Sequence, residues 1–443
     1  MLDRRPITDI HADLLVVGGG AAGMAAAVTA ARRGLKVTLL ERYGFCGGGA
    51  VAGLSGTICG LFEAHESDTA PPKKLVFGFV DEFIKRMNAK GGLTSPVRYG
   101  KTFTLVHDPL KWKGVADDML EEAGVHIVYH TTVTDVLMEG GERIAGVVAY
   151  NKQGKLRVTA EVTIDASGDG DLAAMSGLDT FMGVNGVVQN PTMIFRILGV
   201  DVKRFLNRYG EDSVLGADVS EAIRQSNASG KYVLPRSKIF LFPTTRPNEL
   251  LCNSTRVIGR DGRELNPINS ADFTEAEIAG RKQVEEYVRF YRDQLTGCEN
   301  AFVNDTGVQV GVRQTRQVQG VTTLKNEDVV TGRKSQSGIA RSAWPIEMHS
   351  GEKPKLEWLF NDYYEIPYEC FVPVKGESLL TAGRCLSAES DAMASARVTA
   401  QCFSYGHAIG HAASIAVLER IAPRLVDPLA VRAAVNRDGA QLD

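Results

Sequence analysis

Three glycines and one acid near the start of the chain have the types and spacing to hold a dinucleotide. Gly18, Gly20 and Gly23 form the pattern Gly-x-Gly-x-x-Gly, with Ala22 beside the last, and Glu41 stands twenty-three residues after Gly18. In such a turn the first glycine permits the tight bend and the second lets backbone approach a pyrophosphate. The third lets helix and strand pack closely, and the helix N-terminus offers free N–H groups to phosphate oxygens. An acid at the tip of the next strand accepts hydrogen bonds from the adenosine ribose and disfavours a 2′-phosphate, so FAD or NAD is expected in preference to NADP. The glycines alone would signal only a turn. A strand pattern before them, a helix pattern after them and the acid together make the dinucleotide reading.

Other residues able to do chemistry lie far downstream. Arg313 and Arg316 share one short run, where a guanidinium fork can clamp a substrate carboxylate or pair with an acid of the sheet. His349, with Tyr364 and Tyr368, offers a proton donor and acceptor, or a satisfied core histidine among interface tyrosines. Arg397, at the start of the last long Ala-rich helix pattern, can face a flavin or a substrate anion. Cys46 precedes the pair Gly47-Gly48 with no second cysteine at exchange spacing, which favours a buried structural thiol over a redox centre or a covalent flavin link. His407 and His411 have the i,i+4 spacing of a metal pair, but Gly406 and Gly410 signal close helix packing and the sequence shows no third ligand beside them. No metal is expected.

Periodicity supplies the elements that position these groups. Residues 14–40 read as strand, glycine turn, helix and strand; residues 108–124 as an amphipathic helix; and residues 126–150 as a β-meander with turns at Gly140-Gly141 and Gln153-Gly154. A strand pattern at 162–165 runs into Ala166-Ser167-Gly168-Asp169-Gly170-Asp171. From about 176 to 364 the connections become longer and more polar, with a helical stretch at 271–295; a strand-to-turn at 379–383 and a helix over 392–420 then return to the first style. The expected fold is α/β: a Rossmann-type domain with a parallel sheet, built from 1–175 and 365–443, interrupted by an α+β substrate or cap domain at 176–364 to which residues 55–110 contribute. The 443 residues exceed what one core usually supports, in keeping with this division.

Composition narrows the partners. Fifty basic against 53 acidic residues give a net charge of −3 without long like-charge blocks, so neither nucleic acid nor an anionic membrane is expected. Residues 14–31 lack charge, yet their glycines and alanines carry the phosphate pattern, which argues against a membrane span. Seven cysteines with no C-x-x-C pair, and an acid- and proline-bearing start, point to a reducing, cytoplasmic setting.

Several runs decide between flavin and nicotinamide. Glu41-Arg42-Tyr43-Gly44-Phe45-Cys46-Gly47-Gly48 resembles the second glycine element of flavoproteins in the glutathione-reductase structural group. The run Asp165-Ala166-Ser167-Gly168-Asp169 resembles that group's strand-end return to FAD, and Thr381-Ala382-Gly383-Arg384 onward its C-terminal flavin motif. With Gly-Val-Arg-Gln-Thr-Arg at 311–316, Ala-Arg-Ser-Ala-Trp-Pro-Ile-Glu-Met-His at 340–349, Ile-Pro-Tyr at 366–368 and Ala-Arg-Val at 396–398, the chain resembles the FAD-dependent oxidoreductase family.

The resemblance implies FAD as cofactor, held by Gly18, Gly20, Ala22, Gly23, Glu41, Arg42, Cys46, Gly47, Gly48, Ala166, Gly168, Asp169, Gly383 and Arg384, with Val133 and Ala394 completing the expected contacts. His349, Tyr368, Arg313 and Arg397 are the expected catalytic groups. No second strand ending in an acid follows Gly168-x-Gly170-x-x-Ala173, so this pattern is read as part of the FAD site. The expected activity is hydride transfer between flavin N5 and a small polar substrate, anionic or hydroxylated, with an external electron acceptor or donor and a homo-oligomer among the partners. A flavin-dependent hydratase or isomerase, and an electron-transfer subunit of a larger complex, are the rival readings. The lack of clustered cysteines for iron–sulfur ligation argues against the second.

Overall fold

A computed structural model of the chain describes residues 7–348 and 355–443. At its centre is a seven-stranded sheet in the order His126–Val128, Val37–Leu40, Thr8–Val17, Gly154–Asp165, Arg143–Asn151, Thr132–Glu139, with Leu379–Thr381 also paired to Gly154–Asp165. The first four strands and Leu379–Thr381 are mutually parallel, while Arg143–Asn151 joins its two neighbours antiparallel. The long strand Gly154–Asp165 serves both patterns. Its first half completes the meander, and its end, at Thr163 to Asp165, receives Leu379 to Thr381 from more than two hundred residues downstream. Leu14, Leu15 and Val16 are fully buried, as expected of a parallel strand covered on both faces.

Helix Ala21–Arg32 lies against this sheet and against helix Thr399–Glu419. Alanine and glycine let the two backbones touch. A Cβ on Gly406 would lie 2.0 Å from the Ala22 carbonyl oxygen, so nothing larger is accommodated there. The expected continuous helix over 392–420 is in fact two, Ser390–Ala396 and Thr399–Glu419. Val398 is extended, with ψ of 165°, and caps the second helix, so the alanine-rich pattern overran a real break.

Residues 193–310 build a second core around the antiparallel sheet Phe240–Pro243, Glu249–Asn253, Phe195–Leu198, Phe302–Thr306, with helix Ser270–Gln294 contributing Tyr287, Phe290 and Tyr291. Leu324, Val329, Ile339 and Ile346, expected in the inserted unit, pack instead into the first core with Tyr364 and Phe371. Thr57–Ile58 and Val97–Tyr99 both pair with Thr102–Val106 in a small sheet, and Tyr99 packs on Phe240, Phe242 and Trp344, joining the 55–110 segment to the antiparallel layer.

The helix expected at 108–124 is Pro109–Glu122, started by Asp108, whose side chain accepts from the Leu110 N–H at 2.8 Å and from Arg246 at 3.2 Å. Asp108→Ala is expected to lower stability by about 1 kcal/mol, seen as an earlier urea midpoint at unchanged slope. An unmoved midpoint would show that this cap does not stabilise the native state.

Candidate functional site

Where the strands of the central sheet end, the chain forms a cleft of about 240 Å³, lined from both layers. Its lining extends from the glycine turn at Gly18 to Arg313, Glu347 and Arg397 on the far side, so one cleft offers both a dinucleotide cradle and a polar end. Gly18, Gly20, Ala22, Glu41, Arg42, Gly47, Gly48, Ala166, Gly168, Gly383 and Arg384, expected from sequence, all line it.

The glycine turn is built from two loops that nearly touch. Gly18 has φ +103°, and a Cβ on Gly48 would lie 2.9 Å from the Gly20 Cα. Gly20 precedes helix Ala21–Arg32 and supplies no side-chain cap, leaving first-turn N–H groups directed at the cleft. Gly23 sits behind the turn, where a Cβ would lie 1.8 Å from the Gly18 carbonyl oxygen; its part is close packing. Glu41, at the tip of Val37–Leu40, is fixed by the Gly19 N–H on Oε2 at 2.6 Å and the Tyr43 N–H on Oε1 at 2.8 Å. Burial raises its carboxyl above the ordinary range, and these N–H groups oppose that shift. A carboxylate so oriented at the cleft wall has remaining lone pairs for a sugar hydroxyl.

Cys46 stands behind this wall. It is fully buried, a Cβ on Gly19 would lie 2.5 Å from its Sγ, and the Tyr129 hydroxyl donates to it at 3.6 Å. Burial pushes the thiol well above its ordinary value, so it is a packing group and a poor nucleophile.

The strand-end loop at 165–171 is organised by its own acids. Buried Asp165 accepts from the Ser167 hydroxyl at 2.6 Å and the Leu172 N–H at 2.9 Å, which turns the chain into helix Asp171–Met175. Asp169 accepts from Thr315 Oγ1 at 2.7 Å and Arg384 Nη2 at 3.0 Å. Burial works against its ionisation, but Arg384 and Thr315 hold the carboxyl below its ordinary value. Asp169 thus ties the loop to Arg384 from behind the lining. Val133, half-buried on the meander, and Ala394, buried in helix Ser390–Ala396, are not among the lining residues.

The far side of the cleft carries Tyr99, Thr192, Asn253, Arg313, Trp344, Glu347 and Arg397. Arg313 is buried and donates through Nη1 to the Asn190 carbonyl oxygen at 3.0 Å and to Thr192 Oγ1. Burial, then the charges of Arg397 and Arg236, pull its pKa down. Arg397 ends helix Ser390–Ala396, so the helix break delivers its guanidinium to the cleft; Nη2 reaches Gln189 Oε1 at 3.5 Å and Nε has no partner. Behind them Arg236 donates to Asn253 Oδ1 at 3.0 Å, covers the Phe240 ring at 4.4 Å and leaves Nε and Nη2 unpartnered. Arg313 is electrostatically coupled to both Arg397 and Arg236, and among the described residues all three guanidiniums are coupled to the carboxylate of Glu347, to which the Tyr99 hydroxyl donates at 2.5 Å. Burial and Glu347 raise the Tyr99 phenol far above its ordinary value, so it stays a donor. The surplus positive charge suits an anion, and the phenol–carboxylate pair suits movement of one proton.

Two of the four expected catalytic residues, Arg313 and Arg397, are thus brought together here. Tyr368 is not: its hydroxyl donates to the Pro423 carbonyl oxygen at 2.8 Å inside the core. Tyr364 likewise pairs with Ser395 at 2.7 Å, and Arg316 holds Asp171. His349 lies outside the described residues. Sequence reasoning missed Tyr99, Arg236 and Glu347. Glu347 sat in plain view in the quoted Trp-Pro-Ile-Glu-Met run, while Tyr99 has no local signal.

His407 and His411, expected without a third ligand, both contact Asp438, at 3.0 and 2.8 Å. Among the described residues no helix is long and apolar enough to cross a membrane.

A family described as FAD dependent oxidoreductase matches residues 13–435. A thiamine thiazole synthase of Methanococcus aeolicus is 27% identical over 168 residues, which is 36% of this chain and 56% of that protein, so the chain matches only about half the length of that relative. Among solved structures, a geranylgeranyl bacteriochlorophyll reductase-like protein of Thermoplasma acidophilum aligns with TM-score 0.52 at 14% identity, covering 98% of this chain and 92% of that one. The flavin-dependent brominase Bmp2 aligns with TM-score 0.52 at 15% identity, covering 96% and 84%. At such identities the likeness is one of fold.

Proposed function

Since the chain belongs to the FAD dependent oxidoreductase family, we propose that it transfers a hydride between flavin N5 and a small anionic, hydroxyl- or amine-bearing substrate lodged against Arg313 and Arg397. The residues fit FAD. Gly20 and Gly48 form a cradle that a side chain would fill, Glu41 is aimed at the wall beside it, and the cleft is long enough to reach the polar far side. FAD, when bound, supplies the two-electron chemistry.

The protein's own groups do the rest. Gly18, Gly20, Gly47 and Gly48 would receive the pyrophosphate and Glu41 the ribose, while Gly383 and Arg384 line the cleft beside Ala22. Arg397 and Arg313 orient a substrate carboxylate; Trp344, Tyr99 and Phe242 exclude water with a close aromatic wall. Glu347 takes the substrate's hydroxyl or ammonium proton, directly or through Tyr99. The single observation that carries the reading is the buried guanidiniums of Arg397 and Arg236, which keep unpartnered N–H groups, beside a phenol–carboxylate pair. The electron partner is an external molecule and the setting is cytoplasmic in this proposal.

In an anaerobic screen of alcohols, amines, sugars and hydroxy acids, the flavin is expected to bleach with a carboxylate-bearing member. A flavin that stays oxidised while product accumulates would give the site to the non-redox reading. Arg397→Gln is expected to raise KM for that substrate about 10- to 100-fold, the value of a charge-assisted hydrogen bond, at unchanged flavin content. An unchanged KM would remove Arg397 from substrate binding.

A further inference from the structure

The helix that packs on the glycine-turn helix carries a second constellation on its other side. His407 and His411 lie one turn apart on Thr399–Glu419, and Asp438 ends the following helix, Pro428–Arg437. Both imidazoles present the same nitrogen to the same oxygen: His407 Nε2 is 3.0 Å and His411 Nε2 is 2.8 Å from Asp438 Oδ2. The three ligand atoms all lie within 4.8 Å of one another. With zinc-type bonds of about 2.0–2.2 Å in tetrahedral array, ligand atoms stand roughly 3.3 Å apart, so small adjustments would admit a cation between them.

We propose that His407, His411 and Asp438 form a zinc-class divalent-cation site, with the fourth position open to solvent, that clamps the C-terminal helix to the helix behind the FAD cleft. Both histidine side chains are 4% exposed and held in place, His407 against the Phe79 ring at 6.1 Å and the two imidazoles 5.1 Å apart. The Asp438 side chain is 49% exposed, which gives the ion a way in. Imidazole with one carboxylate selects against calcium and magnesium and for zinc, cobalt or nickel. None of the three residues lines the cleft, so the ion's part is structural and the proposal stands apart from the proposed reaction.

The test uses untagged, FAD-loaded protein stripped with a chelator and titrated with cobalt chloride, then zinc chloride. The expected result is one equivalent of Co²⁺ with the strong visible bands of low-coordinate cobalt, displaced by Zn²⁺, and a melting temperature that rises with zinc. His411→Gln and Asp438→Ala should each weaken binding at least about 100-fold, beyond the roughly 10–100-fold typical of losing an outer-shell partner, with FAD content unchanged. Asp438, half in solvent, is the substitution expected to leave the fold intact should His411→Gln fail to fold. Wild-type protein that takes up neither ion saturably, or ion binding undiminished by Asp438→Ala, would overturn the site and leave a hydrogen-bonded His–Asp–His cluster.

Discussion

Gly20→Val is expected to yield a folded protein that is colourless. At Gly20 a Cβ meets nothing closer than the Gly48 Cα at 3.9 Å, and its backbone, φ −65° and ψ 179°, is open to any residue. The chain itself therefore tolerates a side chain there; the pyrophosphate does not. A branched side chain filling that cradle is an overpacking of about 1–3 kcal/mol or more, which weakens FAD about 10- to 100-fold at least. The variant should keep the wild-type apo melting temperature and lose the rise that FAD gives by mass action. Gly18→Ala is the contrasting control. Its Cβ would lie 2.3 Å from the Ala166 carbonyl oxygen at a φ of +103°, so it should damage folding itself. Tight, stoichiometric FAD in Gly20→Val would mean that the pyrophosphate does not lie against this turn.

Glu347→Gln should leave flavin content intact and slow anaerobic flavin reduction by about 10²- to 10⁴-fold, the range for removing a positioned proton acceptor. The amide keeps the shape and can still accept from Tyr99, so the loss is one of basicity. Tyr99→Phe should cost less, because Glu347 remains and only the 2.5 Å hydrogen bond is removed. Reduction of Glu347→Gln at the wild-type rate would assign the pair to structure alone.

The cofactor half was legible because its signals are local. A strand, a glycine turn and a helix occupy twenty-five residues, and Gly18 and Gly23 have steric reasons that the pattern displays. The polar far side was legible only where a motif happened to include it. Arg313 and Arg397 were named, but Tyr99 meets Glu347 across 248 residues, a distance at which no periodicity helps. Tyr368 misled because its type suggests a proton donor, while the core gives its hydroxyl to Pro423. The alanine run around 392–420 hid the break at Val398 because helix propensity was high on both sides of it. Asp438 escaped for the opposite reason: it ends a separate helix and is adjacent to the histidines only after the two helices pair.

The late arrival of Leu379–Thr381 at the side of Gly154–Asp165 sets a schedule for biosynthesis. While the ribosome is still translating the intervening stretch, the nascent sheet has an unfilled edge at Thr163 to Asp165, and the buried face of Ala21–Arg32 still lacks Thr399–Glu419. Vectorial emergence therefore cannot complete the nucleotide fold ahead of the insertion. Gly383, Arg384 and Arg397 of the cleft lining also follow the insertion, so the complete cofactor site forms only once those residues have been made.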